Sequence, residues 1–304
     1  MGGFFMLQKL KQAVCYLTII ILLPYVITVF LNGPETAVSA KVESAYVTVE
    51  NDGQQIEMSI EDYCIGKLAK EIPVTYETEA LKAQAVLVRT AVYKKIKETG
   101  SSVVLEDEIW TTEEMKEQWG AASYSKNYKK LENAWDTTEG QVLIYEDNLA
   151  NAPFCRLTNG STRDGAEVLG SDEYPYLKII DCPLDIEAKE QLQTLVLDDM
   201  DVEVSASDTA GYVTSVRVGQ ENVSGEEFRK TYNLPSSCFT IQKYDGKLRI
   251  TTRGVGHGLG LSQYTANQMA KSDEDYQQIL EYFFEGTEIK EVADIVMNNK
   301  LDGE

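Results

Sequence analysis

The chain carries a single histidine, His257, among 304 residues. Hydrolytic metal centres draw on several His, Asp or Glu ligands at recognisable spacing, so a histidine-built metalloenzyme has little support. Basic residues are also scarce: 28 Lys and Arg stand against 49 Asp and Glu, for a formal net charge of -21. That balance excludes nucleic acid as a partner, because a phosphate backbone requires clustered cations. The five cysteines are sparse. Cys15 falls in an apolar run, and Cys64, Cys155, Cys182 and Cys238 show none of the C-x-x-C pairs of a structural zinc site. They read as small buried apolar side chains, with a Cys155 to Cys182 disulfide as the alternative. No G-x-G-x-x-G or G-x-x-x-x-G-K-[ST] signature coincides with the chain's glycine-rich stretch, which removes a nucleotide site. No internal repeat is present, and no cofactor is implied.

What is present describes a folded protein: 43% hydrophobic and 25% charged residues rule out a disordered tail. From Ala13 to Leu31 run 19 residues without a charge, preceded by Lys9 and Lys11. The run is long enough to cross a bilayer, and the lysines place the N-terminus in the cytoplasm. Residues 1–31 therefore read as a cytoplasmic stub and single transmembrane helix, 32–45 as a linker and 46–300 as an extracytoplasmic folded region. The rival is a cleaved signal peptide, for which Val38-Ser39-Ala40 supplies a cleavage-like triplet.

The folded region reads as α+β, mixed helices and antiparallel β segments forming a cleft. Ala45 to Met58 alternates like a hairpin about Asn51-Asp52-Gly53. Ser59 caps a helix that Pro73 ends, with Ile60, Cys64, Leu68 and Ile72 as its apolar stripe and Glu71 on the same side. Thr78 to Glu98 is a helix apolar nearly all round its first half. Lys82 and Arg89, two turns apart, project from it into a common space and call for an acidic partner or an anionic ligand, the structural alternative being a salt bridge to Glu71 or Glu79. Ser101 to Trp119 reads as polar surface, Tyr124 to Glu139 as a helix, Gln141 to Tyr145 with Asn151 to Leu157 as a hairpin, and Tyr174 to Ile180 as an apolar run. Residues 184–246 read as an inserted lobe, starting with a glutamine- and acid-rich helix, turning at Gly211 and restarting a helix at Ser224. A strand, Lys247 to Thr252, leads into the stretch Arg253 to Gln263, Ser262 caps a helix through Ala270, and Glu274 to Glu285 is the last helix.

In Arg253 to Gln263, R-G-V-G-H-G-L-G-L-S-Q, Gly254, Gly256, Gly258 and Gly260 alternate strictly around His257. Such spacing points to backbone angles or close approaches that a Cβ forbids. Gln263 and Tyr264, with Asn159 and Ser161, are polar groups suited to a sugar. A Ser262–His257 triad lacks a nucleophile elbow.

Taken in order, G-K-L-A-K-E-I-P (66–73), T-E-A-L-K-A-Q-A-V-L-V-R-T (78–90), N-G-S-T-R-D-G-A-E (159–167), P-Y-L-K (175–178) and R-G-V-G-H-G-L-G-L-S-Q-Y (253–264) resemble the stage II sporulation protein D family of lytic transglycosylases. The resemblance covers Ile60 to the C-terminus. It departs at Ile72, Thr265 and Leu169, where the family often has methionine, glycine and tryptophan. It implies cleavage of the MurNAc–GlcNAc bond of peptidoglycan without water, leaving a 1,6-anhydro end, in sporulation. Glu71 is implied as catalytic, with Lys82 and Arg89 as the basic pair. On their own chemistry, Arg253, His257, Ser262, Gln263 and Tyr264, with Asn159 and Ser161, read as contacting substrate or orienting Glu71. The substrate implied is a glycan strand already stripped of stem peptides, and the partner a cell-wall amidase of the SpoIIP type. The alternatives are a non-catalytic wall-binding protein that stimulates such an amidase, and a zinc-dependent variant using Cys155, Cys182 or His257.

Overall fold

The structure, a computed structural model, describes residues 46–51, 54–99, 104–106 and 108–292. The apolar run Ala13 to Leu31 and the linker 32–45 lie outside the described residues. Among the described residues no helix is long and apolar enough to cross a membrane.

In chain order the elements are β1 (Tyr46–Asn51), β2 (Gln54–Ser59), α1 (Ile60–Glu71), α2 (Thr78–Thr99), β3 (Val104–Leu105), α3 (Thr112–Trp119), α4 (Ala121–Asp136), β4 (Gln141–Tyr145), β5 (Asn148–Leu149), β6 (Phe154–Cys155) and α5 (Gly165–Leu169). After a 3-10 turn at Pro183–Glu187 come β7 (Leu192–Asp198), β8 (Val202–Ser207), β9 (Val213–Val218), β10 (Glu221–Ser224), α6 (Gly225–Thr231), β11 (Phe239–Tyr244) and β12 (Lys247–Arg253). The last are β13 (Leu261–Ser262), α7 (Gln263–Lys271), α8 (Tyr276–Phe283) and β14 (Glu288–Glu291). The molecule is thus a mixed α+β protein whose sheets are mostly antiparallel, in the orders β2-β1-β3, β14-β4-β5, β11-β12-β7 and β10-β9-β8, with β13 parallel to β6.

The larger core is centred on α2. Leu81, Ala85, Val86, Leu87 and Val88 are completely buried in it, together with Tyr63, Ile65 and Leu68 of α1 and Leu131 and Trp135 of α4. This follows from a helix without a polar face in its first half, which must be surrounded. A separate, smaller core joins Val202, Val213, Val216, Phe228, Leu234, Phe239, Leu248 and Ile250. It draws on β12 as well as on the stretch read as an inserted lobe, 184–246.

Local signals set many boundaries. The Ser59 side chain accepts from the Asp62 N–H at 3.0 Å and caps α1, and Ser224 caps α6 in the same way. Thr111 and Glu114 form a reciprocal capping box that starts α3 inside a segment read from sequence as plain surface. Two expectations fail. The strand Gln141–Tyr145 does not pair with Asn151 to Leu157. Glu146 and Asp147, with φ of 48° and 62°, make a tight turn that returns the chain onto β5, and Phe154–Cys155 pairs with β13 instead. The apolar run Tyr174 to Ile180 holds a turn that Pro175 initiates, closed by the Leu177 N–H on the Tyr174 carbonyl at 3.0 Å. The segment after Leu184 is no glutamine-rich helix. Beyond the 3-10 turn it becomes β7, held along its length against β12.

Candidate active site

Glu71 is the last residue of α1, which ends where Ile72 turns to an extended conformation ahead of Pro73. Its carboxylate pairs with the Lys67 ammonium one turn earlier, Oε1 to Nζ 2.9 Å, and the two side chains are 22% and 11% exposed. The acid is thus sheltered but reachable. The connection that follows is held from two sides. From α7, Gln263 Nε2 donates to the Glu71 carbonyl at 3.1 Å, and Asn267 Oδ1 accepts from the Glu77 N–H at 2.8 Å. From α4, Lys130 donates to the Val74 carbonyl at 3.0 Å and to that of Tyr76. Gln263 also donates to Gln84 of α2 at 3.2 Å, so this buried amide joins the helix that presents Glu71, the helix that follows it and the end of the glycine stretch.

The glycine stretch is built as its spacing predicts, for a different reason. All four glycines have positive φ, and two show what the absent side chain permits. A Cβ at Gly258 would lie 2.3 Å from the Tyr212 ring, and one at Gly260 would lie 2.0 Å from the Pro153 carbonyl oxygen. What approaches this backbone is the protein itself. Leu157 and Val255 exchange both of their main-chain hydrogen bonds, at 3.0 and 2.8 Å, and Arg163, ion-paired to Asp208 at 2.6 Å, donates to the His257 carbonyl at 3.1 Å. Both imidazole nitrogens of His257 serve the main chain as well. Nδ1 accepts from the Leu259 N–H at 3.0 Å, and the ring donates to the Phe154 carbonyl. Burial pushes its pKa below the ordinary 6.5, so the ring is neutral at neutral pH and acts as a clasp between the stretch and β6.

The two cations read as a pair sharing one space are separated. Lys82 pairs with Glu79 one turn back at 2.7 Å. Arg89 is fully buried, and its guanidinium lies 3.6 Å from the Trp135 ring centroid and donates to the carbonyls of Thr138 (2.7 Å), Trp135 (3.0 Å) and Gln141 (3.3 Å). It satisfies the carbonyls at the end of α4, a structural post that keeps it from substrate. The cation beside Glu71 is Lys67, whose i,i+4 spacing was readable in the sequence.

Ser262 is likewise fully buried, its hydroxyl directed at Asp185 and capping α7. The Asn159 side-chain amide is half-buried and donates to the Ala210 carbonyl at 2.7 Å and toward the Cys238 sulfur at 3.2 Å. Ser161 bridges to Asp181, Tyr264 is half-buried with its N–H on the Arg156 carbonyl at 3.2 Å, and Arg253 is exposed at the end of β12.

Sequence reasoning missed Asp185. This fully buried carboxylate accepts from the Thr158 N–H (2.7 Å), the Thr158 hydroxyl (2.6 Å), the Ser262 hydroxyl (2.8 Å) and the Thr265 hydroxyl (2.7 Å). It fastens the 158–163 loop to the start of α7. Nothing in P-L-D-I-E marks it, since its four donors come from segments 27 to 80 positions away. Cys64, Cys155, Cys182 and Cys238 are buried free thiols, and burial pushes Cys182 up to about 12. Among the described residues, no group of three or more His, Cys, Asp or Glu is arranged to hold a metal ion.

The arrangement is therefore one reachable carboxylate with an adjacent ammonium, on a connection clamped by the helix that leaves a glycine-laced stretch, in a mixed α+β fold. Comparison with known proteins gives this class its family. The profile described as Stage II sporulation protein matches residues 50–145. The chain is 31% identical over 257 residues to Stage II sporulation protein D of Bacillus amyloliquefaciens, covering 76% of this chain and 74% of that protein. It is 30% identical over 296 residues to Stage II sporulation protein D of Bacillus subtilis (strain 168), covering 89% and 85%. The chain belongs to the stage II sporulation protein D family. It is also 25% identical over 291 residues to the Amidase enhancer of Bacillus subtilis (strain 168), covering 73% of this chain and 39% of the enhancer.

Proposed function

We propose that the chain is a peptidoglycan lytic transglycosylase acting in sporulation, anchored by residues 1–31 with its folded region outside the cell membrane. The reading is carried by Glu71, a sheltered and reachable carboxyl with the Lys67 ammonium at 2.9 Å. Hydrolytic glycosidases commonly need two carboxyl groups about the bond. A transglycosylase needs one group used twice. The Glu71 carboxylic acid gives its proton to the glycosidic oxygen between MurNAc and GlcNAc as the C1–O bond breaks. The carboxylate then takes the proton of the same MurNAc C6 hydroxyl as that oxygen closes on C1, giving the 1,6-anhydro ring without consuming water. The Lys67 ammonium balances the carboxylate's charge between the two transfers. The Gln263 and Asn267 contacts hold the connection behind Glu71, so the carboxyl keeps its aim through both steps. Peptide-stripped glycan strands are the substrate and a cell-wall amidase the supplier of stripped strands.

The similarity to a protein named Amidase enhancer supports a second reading, a wall-binding protein that stimulates an amidase without cutting glycan itself. One experiment separates the two. Full-length protein and its Glu71→Gln variant are incubated with peptide-stripped glycan strands, and the products are analysed by mass spectrometry. Anhydro-MurNAc ends from the wild type, reduced by about 10²- to 10⁴-fold in the variant, are expected. If neither protein forms them while both bind glycan and accelerate an amidase alike, the enhancer reading holds.

A further inference from the structure

The outer strand β7 lacks the devices that keep sheet edges from pairing. It reads L-Q-T-L-V-L-D, its register against β12 is unbroken from Leu192 to Asp198, and it holds no proline and no charge before its last residue. β12 is its one pairing partner among the described residues, so alternate N–H and carbonyl groups of β7 face outward and meet no other main chain there. The outer strands of comparable length each carry a charge inside them: Glu57 in β2, Glu203 in β8 and Lys243 in β11. β8 also breaks register against β9 beside Ala206. The burial of β7 is unfinished as well. Leu195 and Leu197 point to the smaller core, yet both are only half-buried, and on the opposite face Leu192 and Val196 are 62% and 52% exposed. An edge of high β propensity, uncharged along its length and apolar on both faces, is a template for one more strand.

We infer that β7 is the docking edge for β7 of a second copy of this chain, the two strands running antiparallel about a two-fold axis at Leu195. The strand is self-complementary in that register. On the inner face Leu195 meets Leu195 and Leu197 meets Gln193, which carries each smaller core across to the other. On the outer face Thr194 lies opposite Val196, a pair of β-branched side chains. At either end Leu192 lies opposite Asp198. Within each copy Leu192 is paired with Arg253 and Asp198 with Lys247, so the carboxylate of one copy stands in a row between its own Lys247 and the arginine of the other. A second copy is favoured over a foreign strand because it supplies a counterpart for every side chain of the edge, including the cation at each end. The two three-stranded sheets become one of six strands, β11-β12-β7-β7-β12-β11. Because β12 enters the glycine stretch at Arg253, beside Leu192, the two stretches leave the joined sheet at opposite ends. The inference stands on the strand and is independent of the transglycosylase reading.

The test reads particle mass. Full-length protein in density-matched detergent is followed by sedimentation equilibrium across a range of concentrations. The wild type is expected to pass from one to two chains per particle with a Kd on the order of 10 μM, as suits a strand pair smaller than a standard interface. Thr194 and Val196 are exposed, so the single chain tolerates charges at both. Thr194→Lys with Val196→Lys sets like charges opposite one another twice and is expected to weaken the dimer about tenfold or more. Thr194→Glu with Val196→Glu does the same. Mixing the two double variants restores the dimer, because each lysine then meets a glutamate. Urea midpoints of the variants at concentrations where all proteins are single chains should match the wild type, which separates lost pairing from misfolding. A wild type that stays a single chain at about 100 μM overturns the inference. So does a dimer that both double variants retain, as association through residues 1–31 would give, and so do well-folded variants that fail to recover on mixing.

Discussion

The side-chain amide of Gln263 donates to the main-chain carbonyl of Glu71 at 3.1 Å, joining residues 192 positions apart. The candidate acid is therefore aimed by a contact that does not touch its carboxyl group. Gln263→Ala is expected to lower kcat by about 10²-fold while changing KM little, because the geometry of transfer is lost and the binding surface is kept. Gln263→Glu sets a buried carboxylate against two carbonyl acceptors and costs about 1–3 kcal/mol of stability. Steady-state kinetics and urea denaturation of the two variants separate aim from folding.

Arg89 belongs to the core, and its variants should behave accordingly. Arg89→Met removes the buried guanidinium's hydrogen bonds to the carbonyls of Trp135, Thr138 and Gln141 and is expected to destabilise the protein by about 3 kcal/mol. Arg89→Lys retains the charge but loses the planar fork, and falls between. Activity per folded molecule, taken from the denaturation curve, should keep the wild-type KM. A raised KM at full folding would return Arg89 to the substrate.

The glycines of one chain should differ sharply in tolerance. Gly260→Ala directs a Cβ to 2.0 Å from the Pro153 carbonyl at a φ of 74°, and is expected to cost more than about 3 kcal/mol. Gly286 has a φ of 90° with nothing within 4 Å of the added atom, so Gly286→Ala costs about 1 kcal/mol of backbone strain alone. Thermal denaturation of both variants checks the contrast. Equal effects would mean that conformation, not contact, sets the requirement.

His257 gives stability a pH dependence of defined sign. The native fold lowers its pKa below the ordinary 6.5, chiefly through burial, so between the two values the unfolded chain takes up the proton more readily. The stability conferred by the neutral ring is complete above pH 6.5 and is lost as pH falls through the lower native value. Wild-type urea midpoints should decline from pH 7 toward pH 5 by more than those of His257→Gln. Parallel declines would remove the histidine from the account.

Asp185→Ala leaves the donors of Thr158, Ser262 and Thr265 facing an empty space in the core. A loss of about 3–5 kcal/mol is expected from breaking a buried charge network on one side. Asp185→Asn keeps the shape, but its amide turns an N–H toward groups that are themselves donors, and it should recover only part of the loss. Chemical denaturation measures both.

Sequence by itself determined what is local. Ser59 before Asp62, Pro73 after Glu71 and Ser224 before Glu227 specified helix ends, because a cap or a fixed φ acts within a few residues. The apolar circumference of the first half of Thr78 to Glu98 required burial wherever the helix went. The alternation of Gly254, Gly256, Gly258 and Gly260 announced a backbone that no Cβ could follow. Tertiary structure decided which atoms those signals would meet. Lys82 and Arg89 share a helical face by spacing, yet Glu79 holds one and the end of α4 the other, since a buried guanidinium goes where carbonyls converge to accept from it. The glycines admit Tyr212 and Pro153, and His257 spends both nitrogens on the main chain. Asp185 collects its donors from across the fold, and Gln263 reaches Glu71, because hydrogen-bond partners are selected by distance in space, and no periodicity records which distant segment will come near.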